Sequence, residues 1–411
     1  MSSMIFPGET PPSPIEEPPK REPARGALRR PFGAAALVVV LAALAGGVVA
    51  HFAWPPASTS SSASAPLFGF NPGLHRVTAP ASSAVTSSAA TRIDPGLVDI
   101  NTVIANGEAA GTGMVVSSGG EVITNNHVIS GATQISAYDI GNGRTYSARV
   151  VGYDRSQDVA IIQLEGASGL ATVPLGDSST LHVGASVVTI GNAGGVGGTP
   201  SSASGSVAAL GRSITAGDSY QPGDSERLTG VIQIDGALEP GDSGGPLVSA
   251  SKVVGMDTAA SSNFSFQSST AGQGFAIPIN QVLTISRQIL AGHDSSLVHV
   301  GPTALIGVYI SNRGECTNAA GVSGSGSGAK GALVCGVVSG TPAAGTGLAS
   351  SGVGNQYDTI TSIGGKTVSS AAALLSLMDT HHPGDNVVLA WVDKAGSSHS
   401  ATVRLTTGPA D

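Results

Sequence analysis

The segment LEPGDSGGPL, Leu238 to Leu247, decides how the rest of the chain is read. In a sequence of 411 residues with 58 glycines, Ser243 is either a nucleophile set in a built turn or one more serine in glycine-rich filler. Gly241 can take backbone angles closed to other residues, so its N–H and that of Ser243 can be aimed at one point. A Gly/Ser loop such as SGSGS, Ser323 to Ser327, is the filler to compare, whereas this turn follows the apolar strand VIQI, Val231 to Ile234, and runs into Leu247 and Val248. Further short runs, Gly113 to Val116, Glu121 to Thr124, Asp158 to Leu164, Ser186 to Ile190, Lys252 to Met256 and Gly274 to Ile279, are separated by Gly, Asn, Asp and Ser. Many short strands at close spacing, with turn signals between them, predict an all-β barrel or sandwich.

A serine hydroxyl becomes a nucleophile when an imidazole takes its proton, a carboxylate holds that imidazole and backbone donors await the oxyanion. The β-rich region offers His127 in VITNNHVIS as the base, while His182 in the turn-like SSTLHVG keeps a structural reading. Asp158 in YDRSQDVAII is the candidate carboxylate, because it immediately precedes a strongly apolar strand. Asp154, beside Tyr, Arg and Ser in a turn, is its local rival.

Composition bounds the rest. A formal net charge of -8 with 19 Lys and Arg leaves no basic patch to neutralise phosphates, which argues against nucleic acid as a partner. Two cysteines, Cys316 and Cys335, make no zinc or iron–sulfur site by themselves, and no metal or cofactor is expected. They predict one local disulfide outside the cytosol, with two free thiols as the alternative. Residues 1–31 are rich in Pro and charge and predict a disordered cytoplasmic tail. Residues 32–54 contain GAAALVVVLAALAGGVVAHFAW, long enough to cross a bilayer. Lys20, Arg21, Arg25, Arg29 and Arg30 precede that run and no Lys or Arg follows until Arg76, so a single membrane-spanning anchor with a cytoplasmic N-terminus is expected. The competing reading is a cleaved signal peptide and a secreted protein. Residues 55–92 form a Ser/Ala/Pro-rich linker, 93–293 the β-rich unit, and 294–411 a second unit with a C-terminal tail. The β-rich unit should end in a helix after Pro278, capped by Asn280, with Val282, Leu283, Ile285, Ile289 and Leu290 at helical spacing and Gly292 at its end.

The segments GTGMVV, TNNHVI, DVAIIQL, QIDGALEPGDSGGPL, VVGMDTA and GFAIPI, in that order, closely resemble the HtrA/DegP family of extracytoplasmic serine proteases. The resemblance implies a mainly β protein, a chymotrypsin-like double antiparallel β-barrel followed by an α+β PDZ domain. It implies His127 as general base, Asp158 as its orienting carboxylate, Ser243 as nucleophile, and the N–H groups of Gly241 and Ser243 as the oxyanion hole. It also implies unfolded or misfolded proteins as substrates, peptide C-termini as PDZ ligands, and a homotrimer as the assembly. In the second unit, SGTPAAGTGL, DTITSIGGKTV and HHPGDNVVLAWV resemble PDZ landmarks. Leu305, Ile306, Gly307 and Val308 resemble the loop whose N–H groups capture a peptide carboxylate, and the next strand would add the peptide to its sheet. The stretch from Cys316 to Cys335 is an insertion relative to compact PDZ domains, which a bridge between the two would close.

Departures from the pattern matter as much. Asp242 stands where the family commonly has Asn and where trypsin-like enzymes pair an Asp with a newly cut N-terminus. No Ile-Val-Gly-Gly segment begins this unit, so Asp242 should find local donors. Ala237 stands where trypsin-like enzymes place an acid, so a substrate pocket of Ala237, Leu238, Met256 and Thr258 should favour small or medium aliphatic residues before the cut. Gly244 and Gly245 should let a substrate chain approach closely, and Glu239 and Asp257 should be rim charges. The expected function is a serine endopeptidase acting through an acyl-enzyme; the alternative from another class is a non-catalytic peptide-binding or chaperone-like module.

Overall fold

The computed structural model describes residues 88, 90–104, 107–218, 225–258, 264–266, 273–311, 315–317, 323–326, 328–348 and 356–410. The expected tail, membrane anchor and most of the linker lie outside the described residues. Among the described residues no helix is long and apolar enough to cross a membrane.

The first unit begins with β1 (Leu97–Ile104), β2 (Gly107–Val115), β3 (Glu121–Thr124), β4 (Ala132–Asp139), β5 (Arg144–Asp154) and β6 (Val159–Leu164). They pair in the order β5-β4-β1-β2-β3-β6, and a further β5–β6 pairing closes them into a barrel. β1 shows why: its residues alternate, so Val98 and Ile100 turn inward to Val122, Ile135 and Ile162, while Asp99 and Asn101 take the outer face. A second barrel follows from β7 (Ser186–Gly191), β8 (Ser201–Asp218), β9 (Ser225–Ile234), β10 (Pro246–Ser249), β11 (Lys252–Asp257), β12 (Phe264–Phe266) and β13 (Gly274–Pro278). Its ring runs β8-β7-β10-β11-β13-β9 and closes through β8–β9, with β12 paired to β8. Between the barrels one core collects Leu97, Met114, Ile123 and Ile161 from the first and Ile190, Val231, Met256 and Ile277 from the second. Each such fully buried side chain contributes roughly 1.5–3 kcal/mol, so the seam is held as firmly as either interior.

The helix Ile279–Leu290 crosses this core and buries Ile279, Val282, Ile285 and Ile289. Its N-cap is Pro278, not Asn280. Asn280 is drawn instead to a neighbouring turn, where its Nδ2 donates to Asp177 Oδ1 at 2.7 Å and its N–H to Ser178 Oγ at 3.2 Å. β14 (Val298–Val300) then pairs with β5, so the first barrel's sheet extends past residue 293, where the second unit was expected to begin.

The second unit comprises β15 (Ala304–Leu305), β16 (Val308–Ser311), β17 (Glu315–Thr317), β18 (Ser323–Gly326), β19 (Ala332–Val337), β20 (Gln356–Tyr357), β21 (Thr359–Ile363), β22 (Lys366–Thr367), β23 (Asn386–Val392), β24 (Ser398–Arg404) and β25 (Thr406–Thr407). Its main sheet, β16-β19-β21-β23-β24, leaves β16 at an edge. The helix Ala371–Met378 starts at Ser370, whose Oγ accepts from Ala373 N–H at 3.1 Å, and it buries Ala371, Leu374 and Met378 in the core with Ile363 and Leu389. Cys316 on β17 is disulfide-bonded to Cys335 on β19. The two units touch where Arg155 Nη2 and Tyr153 OH both donate to Asp379 Oδ1, at 3.1 and 3.3 Å.

Candidate active site

Asp158 follows the short turn Arg155–Gln157, which Asp154 caps by accepting from Gln157 N–H at 3.1 Å and from the Ser156 hydroxyl at 2.7 Å. Asp154 is thereby spent on the turn. Asp158 itself has φ 54°, a left-handed conformation uncommon outside glycine, and the residue is enclosed, at 0% exposure. Its Oδ1 accepts the backbone N–H of His127 at 3.0 Å, and His127 Nδ1 lies 3.1 and 2.9 Å from Oδ1 and Oδ2. Thr258 Oγ1 donates to Oδ2 at 3.1 Å, and Asn125 Nδ2 donates to the Asp158 carbonyl at 3.0 Å. A carboxylate only accepts, so Nδ1 carries a proton and the imidazole lone pair lies on Nε2. Burying that carboxylate costs several kcal/mol unless donors replace its water, and here three donors do.

Ser243 is enclosed at 2% exposure, and its carbonyl accepts from Thr112 N–H on β2 at 2.8 Å. Next along β2, a Cβ on Gly111 would lie 2.7 Å from the Val128 side chain and 3.2 Å from the Ser243 carbonyl oxygen. The turn carrying Ser243 and the helix Asn126–Ile129 carrying His127 therefore pack on the same piece of strand. Glu239 to Asp242 form a turn closed by Asp242 N–H on Glu239 C=O at 3.0 Å, with Pro240 first and Gly241 second at φ 101°, the pattern of a type II turn. The Pro240 carbonyl accepts from Gly194 N–H at 2.6 Å. A trans peptide points its C=O and N–H in opposite directions, so Gly241 N–H faces away from that loop. The Gly241 carbonyl is pinned by Thr112 Oγ1 at 2.7 Å, which in turn accepts from Asn192 N–H at 2.9 Å.

The glycines of the motif answer to the protein's own backbone. A Cβ on Gly244 would lie 2.1 Å from the Thr112 carbonyl, and one on Gly245 would lie 2.3 Å from the Ile190 carbonyl. The expectation that they make room for substrate is corrected accordingly.

Behind the serine lie two further acids. Asp242 Oδ2 accepts from Glu239 N–H at 2.9 Å, a local donor, while its Oδ1 has no hydrogen-bond partner among the described residues. Burial, with the Glu239 charge adding to it against the pull of that N–H, pushes the Asp242 carboxyl up to about 7. Asp257 is 0% exposed and neither carboxyl oxygen has a partner among the described residues, so it is a core acid and not the expected rim charge. Burial first, and Asp242 second, raise it well above the usual carboxylate range. Its main chain frames the nucleophile, because its C=O accepts from Gly244 N–H and its N–H donates to Gly245 C=O, both at 2.8 Å. Glu239 is exposed, as a rim charge should be.

The expected substrate pocket is divided. Ala237 is exposed and Leu238 is half-buried against the second barrel's interior, over Gly274. Met256 is sealed in the inter-barrel core at 0% exposure, and Thr258, at 1%, serves Asp158, so neither is a pocket wall. His182 is exposed, in a turn closed by its own carbonyl and Ala185 N–H. In the second unit, the Ile306 and Gly307 carbonyls are held by Ala343 and Val338 N–H at 2.8 and 2.9 Å, and Val308 opens the edge strand β16. Leu305 is paired with Thr406 in β25. Thr112, Asn125 and Asn192 were not foreseen as site residues. The first two sit inside GTGMVV and TNNHVI, but only tertiary pairing shows what they hold.

Residues 111–256 match the family model of the trypsin-like peptidase domain, and residues 304–404 that of the PDZ domain. Serine protease PepD of Mycobacterium tuberculosis is 29% identical over 405 residues, covering 95% of this chain and 80% of that protein. Serine protease Do-like HtrA of Lactobacillus helveticus is 30% identical over 302 residues, covering 72% of this chain and 68% of that protein. Periplasmic serine endoprotease DegP of Escherichia coli K12 is 33% identical over 283 residues, 68% of this chain; the chain spans only 54% of that protein's length.

Proposed function

This chain belongs to the HtrA family of serine proteases, and from that premise we propose that it is an extracytoplasmic endopeptidase with Ser243 as nucleophile, His127 as base and Asp158 as orienting carboxylate. The observation that carries the reading is the enclosed Asp158 carboxylate, which meets both the N–H and the Nδ1 of His127 while the adjoining strand holds the Ser243 carbonyl. His127 Nε2 takes the Ser243 proton as Oγ attacks the scissile carbonyl, and returns it to the departing amine. The N–H groups of Gly241 and Ser243 stabilise the oxyanion, and water then hydrolyses the acyl-enzyme by the same base. A non-catalytic peptide-binding module would have no use for a carboxylate buried at such cost beside an imidazole.

Unfolded or misfolded proteins are the proposed substrates, with peptide C-termini bound along β16, an edge strand among the described residues. The proposal places the protein outside the cytoplasm, tethered by the apolar run Gly33 to Trp54 and assembled as a homotrimer. The relatives named periplasmic support the compartment. Incubation of the extracytoplasmic part with casein tests the activity: the native chain should cleave it and Ser243→Ala should not. Casein left intact by both would end the endopeptidase reading.

A further inference from the structure

Asp99 takes the outer face of β1, yet it is only 3% exposed, because the glycine loop after β7 leans over it and Gly198 N–H donates to its Oδ2 at 3.2 Å. It borders an open cavity of about 270 Å³ whose other walls are Asn101, Tyr138 and the segment from Gly195 to Gly198. Asp99 pairs across the sheet with Thr112, which holds the carbonyls of both Ser243 and Gly241. The opposite wall is fastened to the same turn, through Gly194 N–H on the Pro240 carbonyl. The cavity thus opens directly beside the nucleophile's turn. On its other side Asp99 pairs with Tyr138, a partly exposed aromatic.

Such a cavity has one unmet need. Only the Gly198 N–H tempers the burial of Asp99, whose carboxyl is held up at about 6, and no basic side chain among the described residues forms an ion pair with it. The wall of three glycines and Val196 offers room and an apolar contact for a long stem, the Tyr138 ring offers a π-face to a cation, and the carboxylate offers the opposite charge in a partly desolvated place. We infer that Asp99 and Tyr138 form a subsite for a Lys or Arg side chain of the substrate, close beside the scissile bond. This rests on the endopeptidase reading and deepens it: the basic residue that Ala237 cannot hold is taken up at a different place along the bound chain.

The test starts from a peptide that the protein cleaves in casein. Lys is exchanged for norleucine in turn at each of the three residues on either side of the cut, and kcat/KM is measured for the native chain, Asp99→Asn and Tyr138→Leu. At one position Lys should exceed norleucine by about fivefold, Asp99→Asn should erase the difference and Tyr138→Leu should reduce it. Because Asp99 gains its proton below about 6, the preference should fade between pH 7 and pH 5; the ratio of two substrates cancels any titration of His127. Equal rates at every position, or a Lys preference that survives Asp99→Asn, would overturn the subsite. Absence of any casein cleavage would instead count against the endopeptidase reading on which it rests.

Discussion

Asp158 and Asp257 are both closed to solvent at 0% exposure, within one site, but one is ringed by donors and the other is not. Asp158 receives the His127 N–H, the His127 ring and the Thr258 hydroxyl. Asp257 has no side-chain partner among the described residues and faces a second buried acid, Asp242. The cost of burying a charge is similar in the two places, so the donors decide the outcome. The Asp158 corner is arranged to keep a negative charge against an imidazole. The Asp242 and Asp257 corner favours keeping a proton. Only the first can orient a base; the second serves the turn through its main chain, by the hydrogen bonds that Asp257 exchanges with Gly244 and Gly245.

Replacing the ringed acid gives the largest effect. Asp158→Asn keeps the shape but offers the His127 ring the wrong hydrogen-bonding partner, so kcat on a casein-derived peptide should fall about 10⁴-fold, with KM little changed. A loss of less than tenfold would erase the distinction between the two corners. Removing one donor from the ring is milder. Thr258→Val leaves His127 in place, and kcat should drop about tenfold, which corresponds to about 1.4 kcal/mol. If KM rises instead, Thr258 belongs to the pocket after all.

The donor-poor corner predicts a gain. A carboxyl raised in the folded state binds its proton more tightly there than in the unfolded chain. Its contribution to stability is therefore complete below the ordinary value of 3.8 and is lost as the pH rises through the folded value, about 7 for Asp242 and well above the ordinary value for Asp257. Asp257→Asn should accordingly raise Tm at pH 8, by an amount worth about 1–2 kcal/mol, and the gain should shrink toward pH 5. An equal gain at both pH values would mean that charge is not what the corner resists.

The sequence made the chemistry legible where it is written locally. His127, Asp158, Ser243, the glycine at 241 and the short alternating strands each lie in a run of a few residues, and the structure joins His127 to Asp158 and holds the Ser243 carbonyl on β2. What escaped depends on which face of a strand meets which neighbour. Met256, Asp257 and Thr258 are consecutive, and nothing local says that the first enters the inter-barrel core, the second is buried without donors and the third turns to Asp158. Gly244 and Gly245 looked like room for substrate because the Thr112 and Ile190 carbonyls that exclude a side chain come from distant strands. Asn280 had the composition of a cap, but Asp177, far away in sequence, drew its amide. The helix still formed, because Ile279, Val282, Ile285 and Ile289 bury their side chains with or without that cap.

The central claim, that Ser243 is a nucleophile activated by the Asp158-bound imidazole, is tested most directly by reaction with a serine-directed phosphonate, followed by mass-spectrometric location of the adduct. The account predicts a single adduct on Ser243, absent from Ser243→Ala and formed far more slowly in His127→Ala. An adduct on another serine, or equal labelling of Ser243 in the native chain and in His127→Ala, would contradict it.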